Sequence, residues 1–316
     1  MSTFIDDGST NDGSTNDGME QRAEQVRPLS RTRLFVWSVR RELWEYRSLY
    51  LAPLAVAALV LVAFVIGTLH LPHIIVADKS LHKGPVPVVP PVGIAYMIAT
   101  VAVMATGIIV GVFYCLGALH NERRDRSILF WKSLPVSDSL AVAAKMTIPL
   151  VVLPVILFTI IILMQLVMLI TSPLVIWVAG SGVPKLWGAW PILPQAVVLL
   201  YGLATLSLWL LPIYGWLLLV SVWARRVPFL WAVLPPLALS VAEQIAFGTN
   251  HVSALLTDRL FGAFNAAFAP NGGMPIQLSQ LTPLRFVRTP GLWIGLGFGL
   301  GFIAAAIRLR RYANPL

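Results

Sequence analysis

Residues 144–170 read AKMTIPLVVLPVILFTIIILMQLVMLI. At 1.5 Å per residue a helix of this length outruns the roughly 30 Å of bilayer hydrocarbon, and the apolar run is too long for a core helix of a soluble domain. Five further stretches read the same way, at 50–70, 93–119, 193–223, 228–248 and 291–308. The runs are continuous rather than alternating, which favours helices over a β-barrel. Composition agrees, with 57% of the 316 residues hydrophobic and 12% charged, against about 25% charged in soluble domains. The expected fold is an all-α membrane protein with six transmembrane helices. The second and fourth spans are long enough to tilt or to project beyond the hydrocarbon.

An even number of spans puts both termini on one side. Lys and Arg choose the side: seven lie between Arg22 and Arg47, five in 120–145, two at Arg225 and Arg226, and three at Arg308, Arg310 and Arg311. The opposite loops hold Lys79, Lys83, Lys185, Arg259, Arg285 and Arg288. This asymmetry predicts cytoplasmic termini. The net charge of +9 is spread over juxtamembrane loops instead of one folded face, so it is read as topology and attraction to anionic membrane lipid, with no nucleic-acid partner. Cys115 is the single cysteine and falls in the second span, which excludes a disulfide framework.

Residues 1–30 begin with a repeat of Asp, Gly, Ser, Thr and Asn that has nothing apolar to bury, and they are expected to form a disordered cytoplasmic tail. It lacks the basic start and apolar run of a signal peptide. The membrane-spanning body is expected over 31–312. From 32 to 47, Val36, Val39, Leu43 and Tyr46 recur at helical spacing, continued by Tyr50, with Ser38, Arg41 and Glu45 opposite. That pattern predicts an amphipathic helix on the inner membrane surface, with Trp37 and Trp44 at headgroup depth. Pro149, Pro154, Pro212, Pro235 and Pro236 interrupt the spans and favour kinks. Gly107 and Gly111, and Gly291, Gly295, Gly297, Gly299 and Gly301, offer close helix approach.

Two outer loops exceed what a connection needs. Residues 71–92 hold a stiff proline run from Pro85, and the nearby His70, His73, Asp78 and His82 lack the carboxylate or cysteine cluster of a metal site. Residues 249–290 set Leu255, Leu256, Leu260, Phe261, Phe264 and Phe268 beside Asp258, Arg259 and Asn265, a pattern suited to short helices dipping into the outer leaflet against protein. Glu243 is the acidic residue placed well inside a span. It is a candidate intramembrane polar site for substrate or proton relay, or else a structural acceptor bonded to Ser240, Gln244 or a neighbouring helix.

No phosphate loop, metalloprotease motif or nucleophile elbow occurs in the sequence, so neither catalysis nor nucleotide binding is expected of this chain. Between the second and third spans, residues 122–138 read ERRDRSILFWKSLPVSD. This stretch resembles the loop after the second span of ABC-2 type transporter permeases. Those loops carry Glu near the span end, a short Leu-rich helix, Leu-Pro-Val-Ser, and a Lys before the third span. Glu122, Leu134, Pro135, Val136, Ser137 and Lys145 match. The chain departs at Arg126-Ser127, where the family often has Gly-Thr, and at Phe130-Trp131, where it is Leu-rich.

The resemblance extends to the layout over about 31–312, where the 32–47 segment corresponds to the family's elbow helix. It implies a membrane subunit of an ATP-driven transporter of the bacterial cytoplasmic (inner) membrane, an exporter by family habit. ATP and Mg would be bound by a separate ABC ATPase subunit, and the chain would form a homodimer or heterodimer with a second permease subunit. The coupling loop would span 120–143. Within it Ile128, Leu129, Phe130 and Trp131 would enter a groove on the ATPase, with Glu122, Arg123, Arg124, Arg126, Leu134, Pro135 and Lys145 completing the coupling set, and Arg225-Arg226 a second contact. The competing reading is a solvated positive loop on a stand-alone membrane protein: a secondary carrier, a channel, or a non-transporting sensor or immunity factor.

Overall fold

A computed structural model of the chain describes residues 30–81, 91–125, 137–178, 192–268 and 278–312. Side chains at 31, 69–81, 91–92 and 172–178 are outside that description, and so are residues 1–29 and 126–136. The described residues are helical, with one isolated antiparallel bridge between Phe268 and Leu281.

Helix α1, Arg31–Glu45, starts at Ser30, whose Oγ accepts from Arg33 N. Next come α2, Ser48–Leu81, α3, Pro91–Ala118, and the short α4, His120–Arg124. Ser137 Oγ accepts from Leu140 N and opens α5, Asp138–Thr147. This helix widens into a π turn over Ile148–Val152, where Pro149 has no N–H to give, and resumes as α6, Leu153–Val178. Then follow α7, Ile192–Trp223, and α8, Pro228–Phe247. Three short helices, α9, His251–Phe261, α10, Ala263–Ala267, and α11, Pro283–Arg288, lead into α12, Pro290–Tyr312.

Among the described residues six helices are long and apolar enough to cross a membrane: Ser48–Thr68, Gly93–Arg124, Asp138–Thr171, Ile192–Trp223, Pro228–Phe247 and Pro290–Tyr312. They coincide with the six hydropathy spans. Helix α7 is the axis, with 56% of its apolar window buried, whereas α8 buries 6% and sits at the periphery.

Lipid is as apolar as leucine, so close packing has to hold these helices together. Close packing depends on small residues here. A Cβ on Gly215 of α7 would lie 2.9 Å from the Gly299 carbonyl of α12, and one on Gly299 would run into Leu211. Gly107 of α3 is filled in the same way by Leu157 of α6, and Gly111 by Leu153 and Tyr214. Gly297 and Gly301, on the other side of α12, meet nothing. The segment after α8 folds back as short helices onto α7: Tyr201 Oη donates to Ala267 O at 3.1 Å, and the Trp209 indole donates to Asp258 O at 3.0 Å.

Candidate functional site

All inter-helix ion pairs among the described residues gather at one end of the bundle, where α1, α4, the start of α5 and the last turns of α12 meet. On α1, Val39, Leu43 and Tyr46 pack inward while Val36, Trp37 and Trp44 are exposed. Glu42 lies in the inward stripe and is 4% exposed. Lys145 Nζ bonds Glu42 Oε1 at 2.7 Å and Glu122 Oε1 at 3.1 Å. The other Glu122 oxygen takes Arg310 Nη2 at 3.2 Å, and Arg310 Nη1 reaches Asp138 Oδ1 at 3.3 Å. Tyr114 Oη donates to Glu42 Oε2 at 2.9 Å. Three carboxylates and two cations thus form one chain across four helices, with Asp138 at its open edge.

Buried charge is retained only where it is paired and fully bonded, because each ion gives up several kcal/mol of hydration. Glu42 and Glu122 meet that condition, with both oxygens of each engaged. Tyr46 packs edge-on against Tyr114, ring centres 4.9 Å apart, and accepts from Asn121 Nδ2. Burial holds the Tyr46 phenol above its ordinary pKa, the Lys145 charge opposing this.

A second set of bonds ties α4 to the end of α7. Ser221 Oγ accepts from Leu119 N at 3.0 Å and from His120 N at 2.8 Å. His120 Nδ1 lies 3.1 Å from Ala224 O, and Arg123 Nη1 donates to Val222 O. Both ends of the loop whose centre is 126–136 are therefore fixed. Glu122 and Arg123 anchor its entry; Asp138 and Lys145 anchor its exit.

Of the residues the sequence assigns to ATPase contact, Glu122 and Lys145 belong to the buried ion chain, and Arg123 is bonded to the end of α7 at Val222 O. Arg124 is exposed and pairs with its neighbour Asp125 at 3.3 Å. Arg126, Ile128, Leu129, Phe130, Trp131, Leu134 and Pro135 lie outside the described residues. Arg225 and Arg226 are exposed in the link from α7 to α8, which ends on Val227 at φ 45°.

Glu243 sits in the last turns of α8 and caps the next helix. Its Oε1 accepts from Thr249 Oγ1 at 2.7 Å and His251 N at 2.8 Å, and its Oε2 from Val252 N at 2.8 Å. Gly248, at φ 66°, turns the chain between the two helices.

Sequence reading missed Glu42 and Arg310 as members of the site, and Gln165 as an intramembrane polar residue. Gln165 is fully buried, and its Nε2 donates to Thr100 Oγ1 at 3.0 Å between α6 and α3. A carboxylate in phase with Val39, Leu43 and Tyr46 was the available signal for Glu42. Among the described residues no three His, Cys, Asp or Glu side chains gather as a metal site. Compared with protein-family models, curated proteins and solved structures, the chain matches none.

Proposed function

We propose that the chain is the membrane-spanning permease subunit of an ATP-driven ABC-2 type transporter. It works as an exporter of the bacterial cytoplasmic membrane, paired with a second permease subunit and powered by separate ATPase subunits that hold ATP and Mg. The charged end of the bundle is its cytoplasmic face, in keeping with the Lys and Arg asymmetry.

The observation that carries this reading is the clamp on the 126–136 loop. Its entry and exit are bonded to each other through Glu122 and Lys145, to α1 through Glu42 and to α12 through Arg310. A loop held this way transmits a push. Force that reaches its two ends is passed through Glu122, Lys145 and Arg310 to the second, third and sixth spans. The ATPase docks on the tip through Ile128, Leu129, Phe130 and Trp131, where buried aromatic anchors supply most of the affinity, while Arg124 and Arg126 steer the encounter. Glu122, Arg123 and Lys145 act behind that surface as positioning residues. Glu243 is a helix cap and takes no part in moving cargo.

Changing Phe130 and Trp131 together to Ala tests the reading. The expected result is loss of the co-purifying ATPase with the melting temperature of the chain unchanged. Full retention of the ATPase would contradict docking at this loop and favour a stand-alone membrane protein.

A further inference from the structure

Helix α1 carries two unlike faces. At 3.6 residues per turn, Arg33, Trp37, Arg40 and Trp44 fall within about 60° of one another, and Glu42 lies on the opposite side. Glu42 bonds Lys145 at 2.7 Å and accepts from Tyr114 at 2.9 Å, which sets the rotation of the helix and turns the stripe of Arg and Trp outward. All four residues of that stripe are exposed.

The stripe is built as a unit. The Arg40 guanidinium lies 5.7 Å from the ring centre of Trp37 and 5.1 Å from that of Trp44, within the range of cation–π attraction. Arg33 stands two turns earlier, about 10 Å along the axis, and with Thr32, Val36 and Trp37 lines a cleft of ≈ 340 Å³. Glu45, the exposed carboxylate of α1, is taken by Arg41 at 3.0 Å on the flank of the helix. Among the described residues neither Arg33 nor Arg40 has an ion-pair partner.

Composition tells which layer covers this face. The outward residues of α2 include Leu51, Leu54, Leu59, Val62 and Ile66, a surface for hydrocarbon. Helix α1 alternates two cations with two indoles instead. A cation in hydrocarbon is costly, whereas tryptophan concentrates at headgroup depth. A guanidinium also offers phosphate a planar, two-pronged donor. The stripe therefore suits a layer that is anionic on one side and apolar on the other.

We propose that Arg33, Trp37, Arg40 and Trp44 form a binding site for an anionic phospholipid of the inner leaflet. Arg40 donates to the phosphate, Arg33 adds a second cation, and the two indoles sit beside the start of the acyl chains. The lipid is favoured over a soluble phosphate because the indoles need an apolar neighbour. The inference rests on this end of the bundle lying at the cytoplasmic membrane surface and is independent of the ATPase.

The test is native mass spectrometry of the detergent-solubilised full chain with no ATPase present, so the result is separate from docking at the loop. Offered phosphatidylglycerol and phosphatidylcholine in equal amounts, the chain should retain phosphatidylglycerol in preference, and an excess of glycerol phosphate should not displace it. Arg33→Gln with Arg40→Gln should weaken retention about five-fold per arginine, with the melting temperature unchanged. Arg225→Gln with Arg226→Gln removes the same charge from the same end of the bundle and should leave retention as it was. Trp37→Leu with Trp44→Leu keeps apolar bulk but removes the rings that hold Arg40, and should lower retention too. Equal retention of the two lipids would give the face to zwitterionic lipid or to another chain, and displacement by glycerol phosphate would give it to a soluble anion. Either result would overturn the proposal, as would unchanged retention in the Arg33 and Arg40 variant or an equal loss in the Arg225 and Arg226 variant, the mark of diffuse charge.

Discussion

Lys145 faces two carboxylates, and its removal leaves Glu42 buried with no cation, while Glu122 keeps Arg310. Lys145→Met is therefore expected to cost about 3–5 kcal/mol, read as a lower melting temperature in detergent. Adding Glu42→Gln to that variant should recover part of the loss, because it deletes a stranded charge; a strictly additive double variant would argue against the pairing. Tyr114→Phe removes one donor to a charged acceptor and should cost about 1.5–3 kcal/mol. At this scale the sequence was only partly legible. Glu122 and Lys145 stood out through their position around the loop, but their partners did not. Arg310 read as one more positive charge near a membrane face, and Glu42 was not singled out at all. What makes them a site is the convergence of four helices, and spacing along one helix carries no trace of that.

The link from α7 to α8 holds a β-branched residue at φ 45° next to Pro228. Left-handed backbone costs an L residue about 1–2 kcal/mol, and glycine is free of that cost but loses entropy. Val227→Gly should thus raise stability by up to about 1 kcal/mol, seen as a higher melting temperature; a fall would mean that the side chain is held by contacts that offset the strain. One element further on, Glu243→Ala removes the acceptor for two amides at the start of α9. Hydrogen exchange should quicken at His251 and Val252 and remain unchanged in α7. The element scale was the most legible. Apolar runs marked six candidate spans, and the described part of the segment after the fifth, whose pattern suited short helices, carries α9, α10 and α11. The form of the break at Pro149 was not legible, since a missing N–H can be absorbed as a kink, a bulge or a π turn, and neighbouring side chains decide which. The inward stripe of α1 also differs from the sequence reading: Val36 faces out and Glu42 faces in, because the ion pair with Lys145 fixes the rotation of the helix.

Across the whole molecule, a peripheral helix, a tightly packed axis and one buried ion chain divide the labour. The axis of α7 with α12 is closed by Gly215 and Gly299, so Gly299→Val should force the two apart and cost about 1–3 kcal/mol. The charged end ties the residues flanking 126–136 to three spans, and Arg259, Arg285 and Arg288 lie toward the other end. That all-helical, multi-span organisation was fixed by hydropathy alone; a partner at the loop was suggested by the motif around Leu134 and Pro135. The most direct measurement is to purify the tagged chain from its native membranes and assay what accompanies it for ATP hydrolysis. The account predicts a second subunit bearing a phosphate loop, in stoichiometric amount and hydrolysing ATP. A stable chain recovered alone, with no ATPase at any stage of mild solubilisation, would contradict it.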